Sequence, residues 1–345
     1  MKNFPTCSII ILNYNGKAFL KKCLDSVLKT DYPNFKIILI DNASTDGSVE
    51  FLKSYYGSDP RLRIICNERN LGIAGGRNIG IGEVKEKYVV FLDNDTEVHK
   101  DWLIELVEVL ENDPMIGAAQ SKILDIINRD TIQCAGGYLV PYVCCSVMRG
   151  IGKVDNGSYD HIENVCAMGA ALAIRRKILD EVGFLDPEFS FSHDDVDISW
   201  RIWLSGYRVV LAPKSIVYHW KKKKVIRRQI YREHDIYNIS KNTIRMMIKN
   251  YSAQNLIKYL PLMVSSRFFQ ACLHLLLWKD IVMTLGLFHG IYWNLMHLKD
   301  TLKERTRIQC KVKKVKDEDA LRHFMRNVSP FFLYQYFYTE RASRC

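Results

Sequence analysis

Three polar clusters in the N-terminal part of this 345-residue chain contain side chains that could bind a ligand. Each cluster directly follows a short apolar run, and the clusters are Asn13-Tyr14-Asn15, Asp41-Asn42 and Asp93-Asn94-Asp95. Asn and Asp are also ordinary turn formers, so any one cluster could be a simple turn. Two carboxylates separated by one residue, as in Asp93 and Asp95, are suitable oxygen ligands for Mg²⁺ or Mn²⁺. The coincidence of three clusters therefore favours a binding site.

A second acidic cluster, Asp194-Asp195-Val196-Asp197, precedes a segment with a helical apolar pattern. Asp194 or Asp195 could cap that helix, because a carboxylate accepts hydrogen bonds from the N–H groups of the first turn. A carboxylate at this position could also act as a general base on a substrate hydroxyl, and a neighbouring negative charge would raise its pKa toward a useful value. Both interpretations stay open. His219, taken alone, is more often a structural residue than a ligand.

A glycine-rich segment, Asn70–Gly80, could suggest a dinucleotide-binding fingerprint. That fingerprint should open the helix after the first strand, but Asn13–Gly16 occupies that position here. The better interpretation is a loop and helix start whose backbone amides and Arg77 approach phosphate or sugar oxygens.

The elements that must position these residues alternate along the chain. The apolar runs predict strands at Ser8–Leu12, Ile37–Ile40, Leu62–Cys66 and Tyr88–Leu92, and the helical patterns predict helices at Phe19–Leu28, Ser48–Tyr56 and Gly76–Glu86. This alternation predicts an α/β protein with a parallel sheet covered on both faces by helices. Ligands bind beyond the carboxyl ends of the strands in such sheets, and all three polar clusters would lie there.

Composition separates the chain into two parts. Hydrophobic residues make up 48% of the chain, which excludes disorder as the dominant state. Residues 1–220 carry 24 Lys and Arg against 29 Asp and Glu, whereas residues 221–345 carry 25 against 9. We therefore expect a domain boundary near Trp220 and an anionic partner, such as a membrane surface or a polyphosphate, for the basic part. The ten cysteines show no CxxC spacing and no apolar signal segment precedes the first strand, so we expect thiols in the reducing cytosol.

Together, the motifs resemble those of the family 2 glycosyltransferases, especially the rhamnosyltransferase-like branch. Seven motifs occur in the family's order over about residues 5–220: Ile9–Asn15, Ile40–Asp46, Asn70–Gly80, Phe91–Asp95, Gly169–Arg175, Asp194–Asp197 and Val217–His219. The resemblance implies a GT-A fold, a nucleotide-diphosphate-sugar donor, a divalent metal (Mg²⁺ or Mn²⁺) and inversion at the anomeric carbon. It makes residues 1–220 the catalytic domain and leaves 221–345 as a basic, helical C-terminal region.

The resemblance also implies roles on the donor side. Tyr14 would stack on the nucleotide base, Asp41 or Asn42 would hydrogen-bond it, and Asp93 would reach the ribose. The present sequence leaves the choice between Asp41 and Asn42 open, because relatives have two acids there. Further residues expected at the donor site are Leu12, Gly75, Gly76, Arg77, Asn78 and Asn94.

On the metal and acceptor side, the resemblance implies that Asp95 binds the metal, with His219 as a second ligand. Asp195 would deprotonate the acceptor, and Asp194 and Trp200 would lie on the acceptor side. Relatives usually have Glu at position 194, and the shorter side chain puts an acceptor contact there in doubt. The QxxRW signature of processive synthases is missing, because Glu233 follows Gln229-Ile-Tyr-Arg232. We therefore expect a single sugar addition.

The basic C-terminal part starts with Lys221–Lys224 and contains two apolar segments, around Leu256–Trp278 and Ile281–Leu298. The second lacks charge over 18 residues, but its glycines, histidines and asparagine make it a poor membrane-spanning helix. Such segments beside a polybasic stretch favour helices that lie on an anionic bilayer surface, at the inner face of the cell membrane. Alternatively, they complete the core or an oligomer interface. No motif supports nucleic acid as a partner.

The sequence admits three classes of function. The favoured one is an inverting, metal-dependent, non-processive hexosyltransferase that acts on a glycan or lipid-linked acceptor in polysaccharide or cell-surface glycan biosynthesis. A sugar-phosphate nucleotidylyltransferase would need a glycine- and arginine-rich phosphate loop after the first strand, and this loop is missing. The intact acidic clusters argue against a non-catalytic nucleotide-sugar-binding or membrane scaffold protein. Metal-dependent release of nucleoside diphosphate would distinguish the enzyme from the scaffold.

Overall fold

The computed structural model describes residues 4–220, 230–333, 335 and 336. The chain divides into two units. The N-terminal unit comprises Met1–Gly137, Met148–Ser190 and Asp194–Trp220, and the C-terminal unit comprises Tyr138–Val147, Phe191–His193 and Lys221–Cys345. The basic stretch 221–228, which we expected to contact a membrane, lies outside the described residues.

Strands and helices alternate through the first half of the chain, as the sequence predicts. The strands are β1 Cys7–Asn13, β2 Phe35–Asp41, β3 Leu62–Cys66, β4 Tyr88–Asp93, β5 Thr96–Val98, β6 Ile116–Asp125, β7 Ile132–Cys134, β8 Gly137–Val140, β9 Cys145–Met148, β10 Ala171–Arg175 and β11 Arg208–His219. The helices are α1 Lys17–Leu28, α2 Ser48–Tyr56, α3 Gly72–Glu83, α4 Trp102–Asn112, α5 Arg176–Val182, α6 Asp194–Leu204, α7 Ile230–Asn250, α8 Ala253–Trp278, α9 Ile281–Met296, α10 Leu298–Arg307 and α11 Asp317–Leu321, with a π-helical turn at Ile308–Val312.

The central sheet has the strand order β3-β2-β1-β4-β10-β6-β11-β5, and β7 pairs with β6. The first four strands are parallel, as predicted. The remainder is mixed, because β10 runs antiparallel to both β4 and β6. A parallel neighbour needs a long crossover connection, usually a helix, and only two residues separate β4 from β5. The chain therefore leaves the parallel pattern directly after Asp93.

The parallel strands bring the three polar clusters to one edge of the sheet. In the register of β1 with its neighbours, Asn13 lies opposite Asp41 and Leu12 lies opposite Asp93. Strand β1 is almost completely buried because helices cover both faces of this part of the sheet. The prediction that the clusters share one edge is confirmed.

Helix α3 contains the glycine-rich segment and begins at Gly72, four residues earlier than predicted. Its glycines allow it to pack closely against β1, since a Cβ atom at Gly80 would lie 2.8 Å from Ile10 Cγ2. A Cβ atom at Gly76 would lie 2.4 Å from Leu12 Cδ1. The glycines therefore serve helix–strand packing.

The C-terminal unit is mainly helical, and α7 packs against α9. A Cβ atom at Gly290 of α9 would lie 2.6 Å from the Ser240 side chain, so the small residue permits the close approach. Among the described residues, one helix is long and apolar enough to cross a membrane by length and composition. This is α8, with a mean hydropathy of 1.4 in its most apolar window and only 11% of that window buried. Helix α9 is shorter than the predicted segment 281–298, because it ends at Met296.

Nine of the ten cysteines are described, and none of these nine forms a disulfide. The reducing compartment expected from the cysteine spacing stays a prediction.

Candidate active site

The edge formed by β1 and β2 combines a buried carboxylate with an exposed aromatic ring. Asp41 is 1% exposed, accepts a hydrogen bond from Asn13 Nδ2 at 2.8 Å, and accepts another from the Ser44 amide at 2.8 Å. Tyr14 lies just beyond β1 and is 51% exposed. An exposed ring that directly follows Asn13, the residue bonded to this carboxylate, is a suitable surface for a planar base.

Asn42 uses all of its hydrogen-bonding groups to hold the segment before α3. Its Oδ1 accepts from the Leu71 amide and Asn67 Nδ2, each at 3.0 Å, and its Nδ2 donates to Asn70 Oδ1 and the Gly72 carbonyl. The Asp41 oxygens each accept one bond in the same region, so they retain lone pairs for a further donor. Asp41 therefore has more unused hydrogen-bond acceptor capacity than Asn42.

Several residues expected on the donor side also build the scaffold. The amide of Asn78 holds the backbone of Leu185 at both its N–H and its carbonyl, and Asn94 Nδ2 donates to Asn13 Oδ1 at 2.7 Å. Gly75, one turn into α3, is half-buried, and a Cβ atom there would lie 3.0 Å from the Leu71 side chain. The donor contacts expected from these residues and from Leu12 and Gly76 stay predictions.

Arg77 connects the two acidic clusters. This buried side chain pairs with Asp93 Oδ1 through Nη2 and with Asp194 Oδ2 through Nη1, both at 2.6 Å. Although burial opposes the positive charge, the Asp194 and Asp93 carboxylates hold the pKa of Arg77 above its ordinary value. Asp93 is 16 positions from Arg77 along the chain and Asp194 is 117 positions away, and both contact the same guanidinium group.

A group of three side chains could hold a divalent metal. One ligand atom from each of Asp93, Asp95 and His219 lies within 4.8 Å of the others, and His219 Nε2 is 3.3 Å from Asp95 Oδ1. Burial and the Asp95 carboxylate raise the pKa of Asp93, although Arg77 opposes the shift. Two carboxylates and one imidazole form a donor set that suits Mn²⁺ or Mg²⁺. The resemblance implied Asp95 and His219 for the metal and Asp93 for the ribose, and the geometry brings all three within reach of one cation.

Gln133 on β7 fixes the orientation of His219. Its Nε2 donates to Asp125 Oδ2 at 3.1 Å and to the His219 carbonyl at 2.8 Å, so its Oε1 faces His219 Nδ1 at 2.9 Å. Because Oε1 can only accept, Nδ1 carries the proton and Nε2 presents its lone pair toward Asp95. This is the tautomer that a metal-binding imidazole requires, so the residues fit a divalent cation.

Asp195 is half-buried at the start of α6. Its Oδ2 accepts the Gly169 amide at 3.1 Å and its Oδ1 accepts the Val196 amide at 2.8 Å. Burial, together with the neighbouring Asp194 carboxylate, raises the pKa of Asp195 to about 7. A carboxylate with this pKa can accept a proton near neutral pH, as a general base must.

The Gly169 amide is held in place from β6. Gln120 accepts from the Met168 amide and donates to the Met168 carbonyl, both at 2.7 Å, so it clamps the residue before Gly169. Gly169 has a φ of +129°, which residues with a side chain rarely adopt. The clamp and the glycine together direct one N–H group at Asp195.

Two residues expected on the acceptor side are buried. Asp194 is 4% exposed and forms an ion pair with Arg77. Its carboxylate therefore serves this ion pair, and not the helix cap that the sequence suggested. Trp200 is fully buried on α6, so a direct acceptor contact is not open to it. An aromatic residue in a helical apolar pattern can lie in the core or at the surface. In this protein, the packing of α6 places Trp200 in the core.

Sequence reasoning missed Gln120 and Gln133, and it gave Arg77 only a role in contacting phosphate or sugar. Both glutamines lie in apolar strands without a recognisable motif, and their partners are 48 and 86 positions away. No local signal in the sequence could have identified them.

Comparison with known proteins places this geometry in context. The sequence model of a family described as "Glycosyl transferase family 2" matches residues 8–183, about half of the chain. A protein of Haemophilus influenzae described as an uncharacterized glycosyltransferase is 32% identical over 130 residues, which cover 38% of this chain and 40% of that protein. The chain spans less than half of the length of several curated relatives that it matches.

Two solved structures show the same fold. The mannosyltransferase PcManGT from Pyrobaculum calidifontis, in complex with GDP-Man and Mn²⁺, is 17% identical, with a TM-score of 0.55 over 85% of this chain and 88% of that one. S. aureus TarS 1-349 in complex with UDP-GlcNAc is 16% identical, with a TM-score of 0.57 over 88% of this chain and 90% of that one. The predicted GT-A architecture with a helical C-terminal region is confirmed.

Proposed function

The chain belongs to glycosyl transferase family 2, and we propose that it transfers a sugar from a nucleotide-diphosphate donor to a hydroxyl of a glycan or lipid-linked acceptor. One observation carries the proposal. Arg77 bridges Asp93 and Asp194, so the acidic group that suits a metal and the acidic pair that suits acid–base chemistry belong to one site. The expected setting is polysaccharide or cell-surface glycan biosynthesis.

Donor binding is assigned to the edge formed by β1, β2 and β4. Tyr14 stacks on the base, Asp41 hydrogen-bonds it, and Asp93 contacts the ribose. Asp95 and His219 would hold a divalent cation, which would stabilise the negative charge that develops on the leaving diphosphate. The comparison structures contain GDP-Man with Mn²⁺ in one case and UDP-GlcNAc in the other, and both donors belong in a screen together with dTDP-rhamnose.

Asp195 acts as the general base. It accepts the proton of the acceptor hydroxyl while that oxygen attacks the anomeric carbon and the bond from that carbon to the diphosphate oxygen breaks. One direct displacement inverts the configuration, whereas retention would need a second displacement or another geometry. Its half-buried position and its pKa of about 7 support this role.

The C-terminal region is assigned to membrane association and the enzyme to the inner face of the cell membrane. The positive charge of residues 221–345 and the exposed apolar surface of α8 support this assignment. The missing QxxRW signature supports a single sugar addition.

The test is the release of nucleoside diphosphate from a panel of nucleotide sugars, with Mg²⁺, with Mn²⁺ or with EDTA. We expect release from one donor with either metal, none with EDTA, and none from Asp95→Ala. Release that is unaffected by EDTA would contradict the metal assignment. Donor binding without release, in the presence of candidate acceptors, would favour a non-catalytic nucleotide-sugar-binding protein.

A further inference from the structure

Arg267 is an isolated cation within the apolar helix α8. It is the only Lys or Arg between Lys258 and Lys279. Met263 and Ala271, one turn away on either side, are both buried, so Arg267 shares the inner face of the helix. A charged side chain at such a position normally has a partner of opposite charge.

The hydrogen bonds of this guanidinium group leave much of it unsatisfied. Nη1 donates to Gln270 Oε1 at 3.0 Å, and this bond is exposed to solvent. Nε is buried and has no hydrogen-bond partner among the described residues. No described Asp or Glu forms an ion pair with Arg267. The Nη1 end of the guanidinium group therefore reaches the surface. The buried Nε has neither a hydrogen-bond acceptor nor a negative charge beside it among the described residues.

The titratable groups that interact electrostatically with Arg267 are two thiols of the C-terminal unit, Cys144 and Cys145. Burial raises the pKa of Cys145 to about 11 and holds that of Cys144 well above its ordinary value. Both thiols are therefore neutral near pH 7 and supply no negative charge. Burial of a cation without a counterion is costly, so an anion bound here would be strongly favoured.

The surface around Arg267 is apolar. Phe268 and Leu275 lie on one flank of α8, about 100° and 80° around the helix from Arg267, and are 55% and 46% exposed. A planar guanidinium group forms paired hydrogen bonds with a phosphate. Exposed leucine and phenylalanine side chains suit hydrocarbon chains, so one lipid molecule could satisfy both features.

We propose that Arg267 binds the phosphate group of a membrane lipid whose hydrocarbon chains cover the exposed apolar residues of α8. This inference rests on the proposed membrane association and makes it specific, because it names one cation and one chemical group. It gives the C-terminal unit a phosphate-binding site that is separate from the sugar-transfer chemistry.

The test is the binding of the full-length protein to phosphatidylcholine vesicles with and without phosphatidic acid. The variants are Arg267→Gln and Arg267→Lys. The matched control is Lys258→Gln, which removes the same charge from the same helix, where the ammonium group lies 4.9 Å from the Tyr259 ring centre. We expect phosphatidic acid to strengthen binding of the wild type and of Lys258→Gln. Arg267→Gln should weaken binding to the phosphatidic acid vesicles by about tenfold or more, the loss of one charged hydrogen-bond pair. Arg267→Lys should retain an intermediate affinity.

Other outcomes overturn the proposal in distinguishable ways. Equal binding by the wild type and Arg267→Gln would remove the phosphate site and leave membrane association intact. No vesicle binding by the wild type would overturn both. Competition by inorganic phosphate at concentrations matched to the vesicle phosphatidic acid would identify a site for free phosphate instead of lipid. Because vesicle binding needs no nucleotide sugar, none of these results depends on the proposed transferase activity.

Folding of the variant is checked by thermal unfolding without lipid. Because no carboxylate of the described residues pairs with Arg267, Arg267→Gln should have a Tm equal to or above that of the wild type. A clearly lower Tm would show that the guanidinium group serves the fold, and it would overturn the proposal.

Discussion

Asp195 differs from its neighbour Asp194 in its surroundings, and its raised pKa lets it accept a proton near neutral pH. Asp194 is buried and paired with Arg77, whereas Asp195 is half-buried, and its donors within the described part of the chain are two backbone N–H groups. Arg77 thus pairs with one carboxylate, and the other is left to titrate near pH 7. Two adjacent, chemically identical residues therefore lie in different surroundings, as the proposed division of roles requires.

The first prediction concerns turnover. Asp195→Asn should lower kcat by about 10²–10⁴-fold, because the amide cannot accept the acceptor proton, and donor affinity should stay unchanged. In the wild type, kcat should rise with pH through about 7, since the base must be ionised. Steady-state kinetics across pH and donor titration measure both effects. Asp180→Asn, at an exposed ion pair with Arg176, is the control, and near-normal turnover of Asp195→Asn would contradict the assignment.

The second prediction concerns stability. The pKa of Asp195 is about 7 when folded against an ordinary value of 3.8, so between these pH values the unfolded state binds fewer protons than the folded state. The free energy of unfolding of the wild type therefore falls as pH rises through this window. Asn cannot ionise, so the Tm of Asp195→Asn relative to the wild type should increase from pH 4 to pH 7 and then level off. A constant difference across these pH values would contradict the shifted pKa.

The third prediction concerns Gln133. Gln133→Leu removes the acceptor that orients His219, so the affinity for Mn²⁺ should fall by about 10–100-fold. Titration of the protein with Mn²⁺, followed by electron paramagnetic resonance without substrate, measures this affinity. Gln309→Leu, which removes a glutamine that donates to the Lys249 and Asn250 carbonyls, is the control. Equal affinity of Gln133→Leu and the wild type would exclude His219 as an oriented ligand.

At the scale of elements, the packing of α3 against β1 positions Arg77. Gly76 and Gly80 lie on the face of α3 toward β1, and their missing side chains let the helix approach the strand. Arg77 follows Gly76 directly and reaches Asp93 at the end of β4. A larger separation between helix and strand would move the guanidinium group away from both carboxylates.

The fourth prediction tests this packing. Gly80→Ala should lower the free energy of unfolding by about 1–3 kcal/mol, because its Cβ would lie 2.8 Å from the buried Ile10 side chain. Gly82→Ala in the same helix meets no atom within 4 Å and should raise it by about 0.5–1 kcal/mol through helix propensity. Denaturant unfolding measures both changes. Similar effects of the two substitutions would show that close packing at Gly80 is unimportant.

At the scale of the whole molecule, charge separates the two parts of the chain. Residues 1–220 carry a small excess of acids, and residues 221–345 carry 25 basic against 9 acidic residues. Such an excess attracts anionic surfaces over a distance set by ionic strength.

The fifth prediction follows from this charge. Binding to phosphatidylglycerol vesicles should weaken steeply as salt is raised, and replacement of Lys221–Lys224 by Gln should weaken it by about 1 kcal/mol for each lysine at low salt. Vesicle sedimentation at several salt concentrations measures both. Replacement of Lys85 and Lys87, in the N-terminal unit, by Gln is the control. Salt-independent binding would show that apolar contacts alone hold the protein to lipid.

The sequence by itself determined the parallel half of the sheet and the edge at which Asn13, Asp41 and Asp93 meet. The apolar runs before these residues are local signals, and parallel strands must end on the same side, so their meeting needs no further information. The order of the motifs was enough to indicate the family. The antiparallel direction of β10 could not be predicted in this way. Its direction and its neighbours depend on the path of the long connections before and after it, which no local sequence pattern specifies.

Only the tertiary structure decided which of these residues touch. The bond of Gln133 to His219, the clamp of Gln120 on Met168 and the two ion pairs of Arg77 join residues that are far apart in the chain. Packing also buried Trp200, which the helical pattern could not distinguish from a surface ring. Local patterns specify an element and its faces, whereas long-range contacts and pKa shifts depend on burial and distance, which exist only once the chain has folded.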